Sequence, residues 1–210
     1  KEERLQSIDE FKSFIDAAEI LNCPNVRIWS GIDPDEKNYN EDSYNYLVDS
    51  LAIIGNYLEG TSIKANVENH PYTEATTAIK TVELIEQINS TNIGILYDPG
   101  NLIYLGDLNY KDAFELQKKF INHVHLKDLT INKKSTPKNV YPVNSTTPCL
   151  FGDGIIPWKE IIKYLKNIKY NKYISIEYEK RWHPKILLDP EIALPIELKK
   201  LRSLNEKIYE

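Results

Sequence analysis

Four short stretches of the chain carry a carboxylate or an imidazole at the end of an apolar, strand-like run. The four side chains are Glu68 in "VENH", Asp98 in "YDPGN", His125 in "HVHLKD" and Glu177 in "SIEYEK". Buried groups of these types are costly unless they are paired or bind a metal ion. Three carboxylates and one imidazole suit Mn²⁺, Mg²⁺, Co²⁺ or Zn²⁺. These residues therefore predict a divalent metal site.

The elements that must position these side chains alternate along the chain. Apolar residues at helical spacing predict helices over residues 8–21, 41–60, 73–89, 110–120, 157–168 and 190–209. Strands are predicted over residues 25–30, 62–69, 92–98, 121–127 and 172–179. A polar loop over residues 130–148 is expected to hold a short irregular strand near residues 140–143. Strict alternation of this kind predicts βαβ units and a parallel sheet.

The polar residues of the strands decide between an open sheet and a closed barrel. In the run "SIKANVENH", Ile63, Ala65 and Val67 share one face, and Glu68 and His70 lie on the other. The strands over residues 121–127 and 172–179 divide in the same way. Central strands of an open sheet are apolar on both faces, whereas several strands with one polar face are typical of a barrel interior. We therefore predict an α/β fold, a (β/α)8 TIM barrel, as a single domain over residues 1–210.

The motifs also carry a resemblance. In order along the chain, "VENH", "YDPGN", "HVHLKD", "FGDG" before "IPW" and "SIEYEKRWHP" resemble the xylose isomerase-like TIM-barrel superfamily. More narrowly, they are similar to its sugar phosphate isomerase/epimerase branch. The resemblance implies that Glu68, Asp98, His125 and Glu177 bind one divalent metal ion. It also implies that Glu68 and Glu177 are catalytic and exchange the protons of the substrate.

The implied activity is that of a metal-dependent isomerase or epimerase of a sugar or keto-sugar. A divalent ion polarises a carbonyl and the adjacent hydroxyl, which makes the neighbouring carbon-bound proton easier to remove. One carboxylate would accept that proton and the other would return it. The expected partner is therefore a small-molecule sugar or keto-sugar.

The resemblance also predicts an incomplete barrel. If residues 25–30 are the third strand of the family, the chain begins at the second helix and contains strands three to eight. We therefore expect the domain to be N-terminally incomplete and to lack strands 1–2 and the first helix.

Further substrate-binding residues are expected near these motifs: Trp29, His70, Asn101, His123, Lys127, Arg181 and His183. Several of them have a second interpretation. Lys127 would hold a substrate oxyanion or pair with a carboxylate such as Asp128. Asn101 would bind substrate or cap the following helix. His123 would line the cavity or pack as a satisfied histidine, and Trp29 would stack on a sugar or belong to the core.

A glycine-containing turn has two interpretations, a phosphate site and a tight turn. Gly152 and Gly154 bracket Asp153 just before a helix, where TIM barrels often bind phosphate. Asp153 would repel an anion, so a tight turn is the preferred interpretation.

Three other functions remain open. A dehydratase of an inosose-like keto-cyclitol begins with the same proton abstraction next to a carbonyl. The apurinic endonuclease of the superfamily needs three zinc ions, and this chain has Asn101, Thr146 and Pro148 at or near places where that branch has further ligands. A non-catalytic sugar-binding barrel is the third alternative.

The composition limits which binding partners and which cellular compartment are expected. The net charge of −5 disfavours a nucleic-acid partner, whose phosphates favour a basic surface. No apolar run approaches the roughly 20 residues of a membrane span. The two cysteines, Cys23 and Cys149, lie far apart, so a disulfide framework is not expected and a cytoplasmic location is. A homo-oligomer is left open.

Overall fold

The computed structural model of the chain describes residues 2–31, 41–105, 109–132 and 145–209. The chain divides into two compact units, Lys1–Tyr97 with Lys119–His123, and Asp98–Lys118 with Val124–Glu210. The single domain expected over residues 1–210 stays a prediction. Within the described ranges, no helix has the length and apolarity needed to cross a membrane.

The described part of the first unit contains three helices and three complete strands in alternation: α1 (Glu2–Ile20), β1 (Asn25–Ile28), α2 (Glu41–Tyr57), β2 (Lys64–Glu68), α3 (Ala78–Ile88) and β3 (Ile93–Tyr97). Strands β1 and β2 are parallel, as are β2 and β3. Strand β4 spans Ile121–Leu126, and its first three residues also belong to this unit. Just before them, the Phe120 carbonyl accepts a hydrogen bond from the Ile95 N–H on β3.

The second unit contains the rest of β4 and the elements that follow it. In chain order its elements are α4 (Pro99–Leu102), a 3₁₀ turn (Ile103–Leu105), α5 (Tyr110–Gln117), the end of β4, β5 (Asp128–Ile131), β6 (Thr146–Cys149), α6 (Trp158–Asn167), β7 (Ile174–Ile176) and α7 (Pro190–Tyr209). Strands β4 and β7 are parallel, with His125 opposite Ser175 and Leu126 opposite Ile176.

Strand β4 therefore takes part in both sets of pairings, and the strand order is β1-β2-β3-β4-β7. Among the described residues this parallel sheet has five strands, fewer than the eight of a closed TIM barrel, as expected of an incomplete one. Strand β4 bonds directly to β7. The strand predicted near residues 140–143, which would come between them in the family's order, lies outside the described residues.

The interior of the first unit shows why these segments form strands and helices. On β2, Ala65 and Val67 are fully buried, and the opposite face, with Asn66 and Glu68, is buried as well. Helix α3 begins where the Thr77 side chain accepts a hydrogen bond from the Lys80 N–H. Its buried residues recur at helical spacing: Ala78, Thr81, Leu84, Ile85 and Ile88. The polar face of the strand is thus enclosed rather than exposed to solvent.

The antiparallel pair β5–β6 was not predicted. It pairs Leu129 with Pro148 and Thr130 with Thr147, at the edges of the region predicted to be a polar loop. These segments are short and rich in threonine, so they lack the alternation of apolar and polar residues that indicates a strand.

One carboxylate fixes the turn that precedes α6. The side chain of Asp128 accepts hydrogen bonds from the N–H groups of Leu129 (2.9 Å), Gly152 (2.9 Å), Gly154 (3.2 Å) and Ile156 (3.1 Å). Any Cβ atom on Gly154 would collide with this carboxylate. Burial raises the pKa of Asp128, although the four hydrogen bonds act in the opposite direction. Because Gly152 and Gly154 donate to Asp128, the structure favours the tight turn over a phosphate site.

Replacing Asp128 should destabilise the protein strongly. We expect Asp128→Ala to lower the free energy of unfolding by about 3 kcal/mol, because buried N–H groups left without an acceptor cost about 1–3 kcal/mol each. The measurement is urea unfolding followed by circular dichroism.

Asp153→Ala is the matched control for this prediction. Asp153 pairs with Lys200 at 2.6 Å on the surface, where an ion pair contributes about 0–1 kcal/mol. Equal losses in the two variants would contradict the anchoring role of Asp128.

Candidate metal centre

Three of the predicted metal ligands belong to the second unit and sit at strand ends. Asp98 directly follows β3 and caps α4, since its side chain accepts a hydrogen bond from the Asn101 N–H at 3.1 Å. His125 is on β4. Glu177 directly follows β7, and its N–H donates to the Leu126 carbonyl at 3.0 Å, which extends the pairing of β4 and β7 by one residue.

The structure brings these three side chains together. His125 Nδ1 lies 3.4 Å from Glu177 Oε2 and 3.7 Å from Asp98 Oδ2. Donor atoms that share one ion at about 2.1 Å lie about 3.0–3.5 Å apart, so this spacing is close to what a divalent ion requires. Asp98 is fully buried and the other two are partly buried. Two carboxylates and one imidazole fit Mn²⁺, Mg²⁺, Co²⁺ or Zn²⁺.

Lys127 places a positive charge against the same carboxylates. Its Nζ lies 2.9 Å from Glu177 Oε2, 3.0 Å from Asp98 Oδ2 and 3.8 Å from Glu179 Oε1. The side chain is only 7% exposed. Lys127 therefore pairs with carboxylates, as one of its two interpretations expected, although they are Asp98, Glu177 and Glu179 rather than Asp128. Consecutive strand residues point to opposite faces, so Lys127 points with His125 while Asp128 turns to the backbone N–H groups before α6.

The charges of this cluster stabilise one another. Burial raises the pKa of Glu177, but a hydrogen bond from His125 and the charge of Lys127 lower it by more, so the pKa lies well below its ordinary range. Burial lowers the pKa of Lys127, but Asp98 and Glu177 raise it by more, so the net shift is upward. Glu177 is therefore a carboxylate and Lys127 an ammonium near neutral pH.

The first unit holds the fourth predicted ligand, Glu68, at the end of β2 with 2% exposure. Arg27 on β1 reaches its carboxylate, with Nε 2.5 Å from Glu68 Oε2. The Arg27 guanidinium also lies over the ring of Trp29, 5.0 Å from its centroid. Glu68 is thus buried and paired with a cation.

Trp29 and His70 form an aromatic pair in the first unit. Their ring centroids are 4.9 Å apart, and Trp29 remains 49% exposed, so it is not a core residue. His70 Nδ1 lies 2.5 Å from the Pro71 carbonyl oxygen. A carbonyl can only accept, so Nδ1 carries the proton and Nε2 is the basic nitrogen of the neutral ring.

The remaining predicted substrate residues have varied surroundings. Asn101 is buried inside α4, whose cap is Asp98, so Asn101 is not the cap. His123 is half-buried on β4. Arg181 is exposed in the loop after β7, with its guanidinium 5.0 Å from the Trp182 ring centroid, and His183 is half-buried in the same loop.

Two residues near Lys127 were not among the predicted site residues. The alternation of polar residues along residues 172–179 places Glu179 on the same face as Glu177, but nothing in the sequence identifies it as a neighbour of Lys127. Tyr104 makes a side-chain hydrogen bond with Thr146, and burial raises the pKa of its phenol. No spacing in the sequence singles out Tyr104, because its contact joins the 3₁₀ turn to the unpredicted strand β6.

Comparison with known proteins agrees with the architecture. An inosose dehydratase of Clostridium perfringens (strain ATCC 13124) is 29% identical over 178 residues, which cover 80% of this chain and 56% of that protein. The chain thus spans little more than half the length of that relative.

Solved structures show the same fold. A structure of the IOLI protein with a bound zinc atom has a TM-score of 0.78 at 20% identity and covers 99% of this chain and 72% of that one. A D-tagatose 3-epimerase-like protein has a TM-score of 0.71 at 24% identity, with 98% and 72% covered.

The family assignment rests on nearly the whole chain. The profile of the family described as "Xylose isomerase-like TIM barrel" matches residues 1–204, the same family that the strand-end motifs resemble. This chain belongs to the xylose isomerase-like TIM-barrel family.

Proposed function

We propose that the chain carries the metal centre of a dehydratase that removes water from an inosose-like keto-cyclitol. The observation that carries this proposal is the convergence of Asp98, His125 and Glu177 on one point beside the buried Lys127 ammonium. The likeness to an inosose dehydratase supports the choice of substrate class. The sequence is compatible with a dehydratase as well as with an isomerase or epimerase, and this likeness favours the dehydratase.

Glu68 is the fourth metal ligand in this proposal. It pairs in register with Leu96 on β3, and Leu96 is two residues before Asp98. Paired strands lie about 4.8 Å apart, so the pairing of β2 with β3 keeps Glu68 near the end of β3, which Asp98 directly follows. The Arg27 side chain orients the Glu68 carboxylate through its 2.5 Å contact.

The bound ion would supply a Lewis acid that polarises the substrate carbonyl and acidifies the neighbouring C–H bond. Glu68 and Glu177 are the proposed groups that hold the ion and accept the carbon-bound proton. Lys127 carries N–H donors for the hydroxyl group that departs as water, and His70 offers its Nε2 as an acceptor for a substrate hydroxyl. We also assign substrate contacts to Trp29, Asn101, His123, Arg181 and His183.

The charge state of Glu177 is compatible with both reactions. His125 and Lys127 hold the pKa of Glu177 well below its ordinary range, so the group is ionised and has no proton to donate. Elimination and epimerisation both begin when an ionised carboxylate accepts the carbon-bound proton. The preference for elimination therefore rests on the likeness to an inosose dehydratase.

A metal-dependent sugar isomerase or epimerase is the second candidate. The likeness to a D-tagatose 3-epimerase-like structure favours it, and its first step is the same proton abstraction. The two reactions differ in their products, because elimination removes one water and creates a conjugated carbonyl, whereas epimerisation leaves the mass unchanged.

The test is incubation of the chain with Mn²⁺ and an inosose, followed by mass spectrometry and by ultraviolet absorbance of the conjugated product. We expect loss of one water. Glu177→Gln should reduce kcat/KM by about 10³-fold, because general acid–base groups contribute about 10²–10⁴-fold.

Glu191→Gln, on the exposed first turn of α7, is the matched control and should retain full activity. A product of unchanged mass would support the epimerase instead of the dehydratase. Turnover that survives Glu177→Gln would remove Glu177 from the mechanism.

The depressed pKa of Glu177 also predicts how stability depends on pH in the metal-free chain. A carboxylate whose folded pKa is below its unfolded value of 4.5 stabilises the fold above that value, and this contribution is lost as pH falls through the folded pKa. Wild type should therefore exceed Glu177→Gln in stability at pH 6, and the difference should shrink below pH 4.5.

Urea unfolding of both proteins across this pH range is the measurement. A difference that stays constant from pH 6 down to pH 3 would show that the charge of Glu177 contributes nothing to the fold.

A further inference from the structure

Packing and a backbone hydrogen bond hold Lys127 beside the metal centre. A Cβ atom on Gly100 would lie 2.8 Å from Lys127 Cγ and 2.9 Å from Lys127 Cε, so only glycine at position 100 leaves the lysine this place. The Trp158 indole N–H donates to the Lys127 carbonyl at 3.0 Å, which holds its backbone. The position of the ammonium is therefore determined by packing on two sides.

The lysine reaches the same oxygens that the proposed metal ion needs. His125 Nδ1 and Lys127 Nζ both approach Asp98 Oδ2 and Glu177 Oε2. Glu179 adds a third carboxylate 3.8 Å from the ammonium. A cation shared by these carboxylates is required because like charges at this degree of burial repel strongly.

We propose that Lys127 is an internal counter-cation that shares the oxygens of Asp98 and Glu177 with the divalent ion and thereby weakens metal binding, so that the ion is exchangeable. This inference rests on the metal centre of the proposed function. Without the ion, the ammonium neutralises part of the negative charge and keeps the carboxylates together. When a divalent ion binds, it has to share its ligands with a positive charge that packing holds in place.

The test compares metal affinity in variants that remove the lysine charge. Lys127→Met preserves most of the side-chain volume and removes the charge. Metal-free proteins are titrated with Mn²⁺ and with Zn²⁺ by isothermal calorimetry at one fixed pH. We expect Lys127→Met to bind at least about tenfold more tightly than wild type, which is about 1.4 kcal/mol of binding free energy.

Two further variants make the result specific. Lys163→Met removes an exposed lysine from α6 and should bind metal as wild type does. Lys127→Gln also removes the charge, with a side chain that stays polar, and should tighten metal binding in the same direction. Circular dichroism checks the fold of each variant, and Lys127→Gln decides the question if Lys127→Met does not fold.

Each outcome separates this inference from the proposed function. Metal binding by wild type with equal or weaker binding by the variants overturns the inference and leaves the metal centre standing. Binding by the variants but not by wild type supports the counter-cation and contradicts a metal-dependent function. Absence of binding in all of them overturns both.

Discussion

The pairing of one buried ammonium with several carboxylates is the interaction on which the second unit depends. Asp98 is fully buried and Glu177 partly so, and both contact Lys127 Nζ at about hydrogen-bond distance, 3.0 and 2.9 Å. Carboxylates removed from water without a cation are strongly unfavourable. Lys127, which directly follows strand β4, supplies that cation, and Gly100 leaves space for its side chain. The same pairing that stabilises the strand ends also keeps Glu177 ionised, which is the property the proposed chemistry uses.

Side chains along residues 125–128 alternate between two faces. One face contributes to the proposed metal site, and the other holds the turn before α6. His125 and Lys127 point to the carboxylates at the strand ends. Asp128 points the other way and binds the N–H groups of the turn that begins α6. A shift of one residue in this strand would turn His125 and Lys127 away from the carboxylates and Asp128 away from the turn before α6. The register of β4 against β7 therefore determines the positions of all three side chains.

Much of the fold was predictable because it depends on periodic apolar residues. Helix α7 spans the predicted range, and α1 begins at Glu2, six residues before the predicted start, because its first turns are polar and exposed. The strand ends that carry the metal ligands were predicted from their change to polar residues. The carboxylates that pair with Lys127 and the strand pair β5–β6 were not predicted. Both depend on contacts between residues far apart in sequence, and Lys127 and Glu177, for example, are 50 positions apart.

The most direct test of the metal centre is anomalous diffraction from crystals of the chain grown with Mn²⁺. We predict one anomalous peak within bonding distance of Asp98, His125 and Glu177, with Glu68 as the fourth ligand. A peak bound to other residues, or no peak with Lys127 still joined to Asp98 and Glu177, would contradict it.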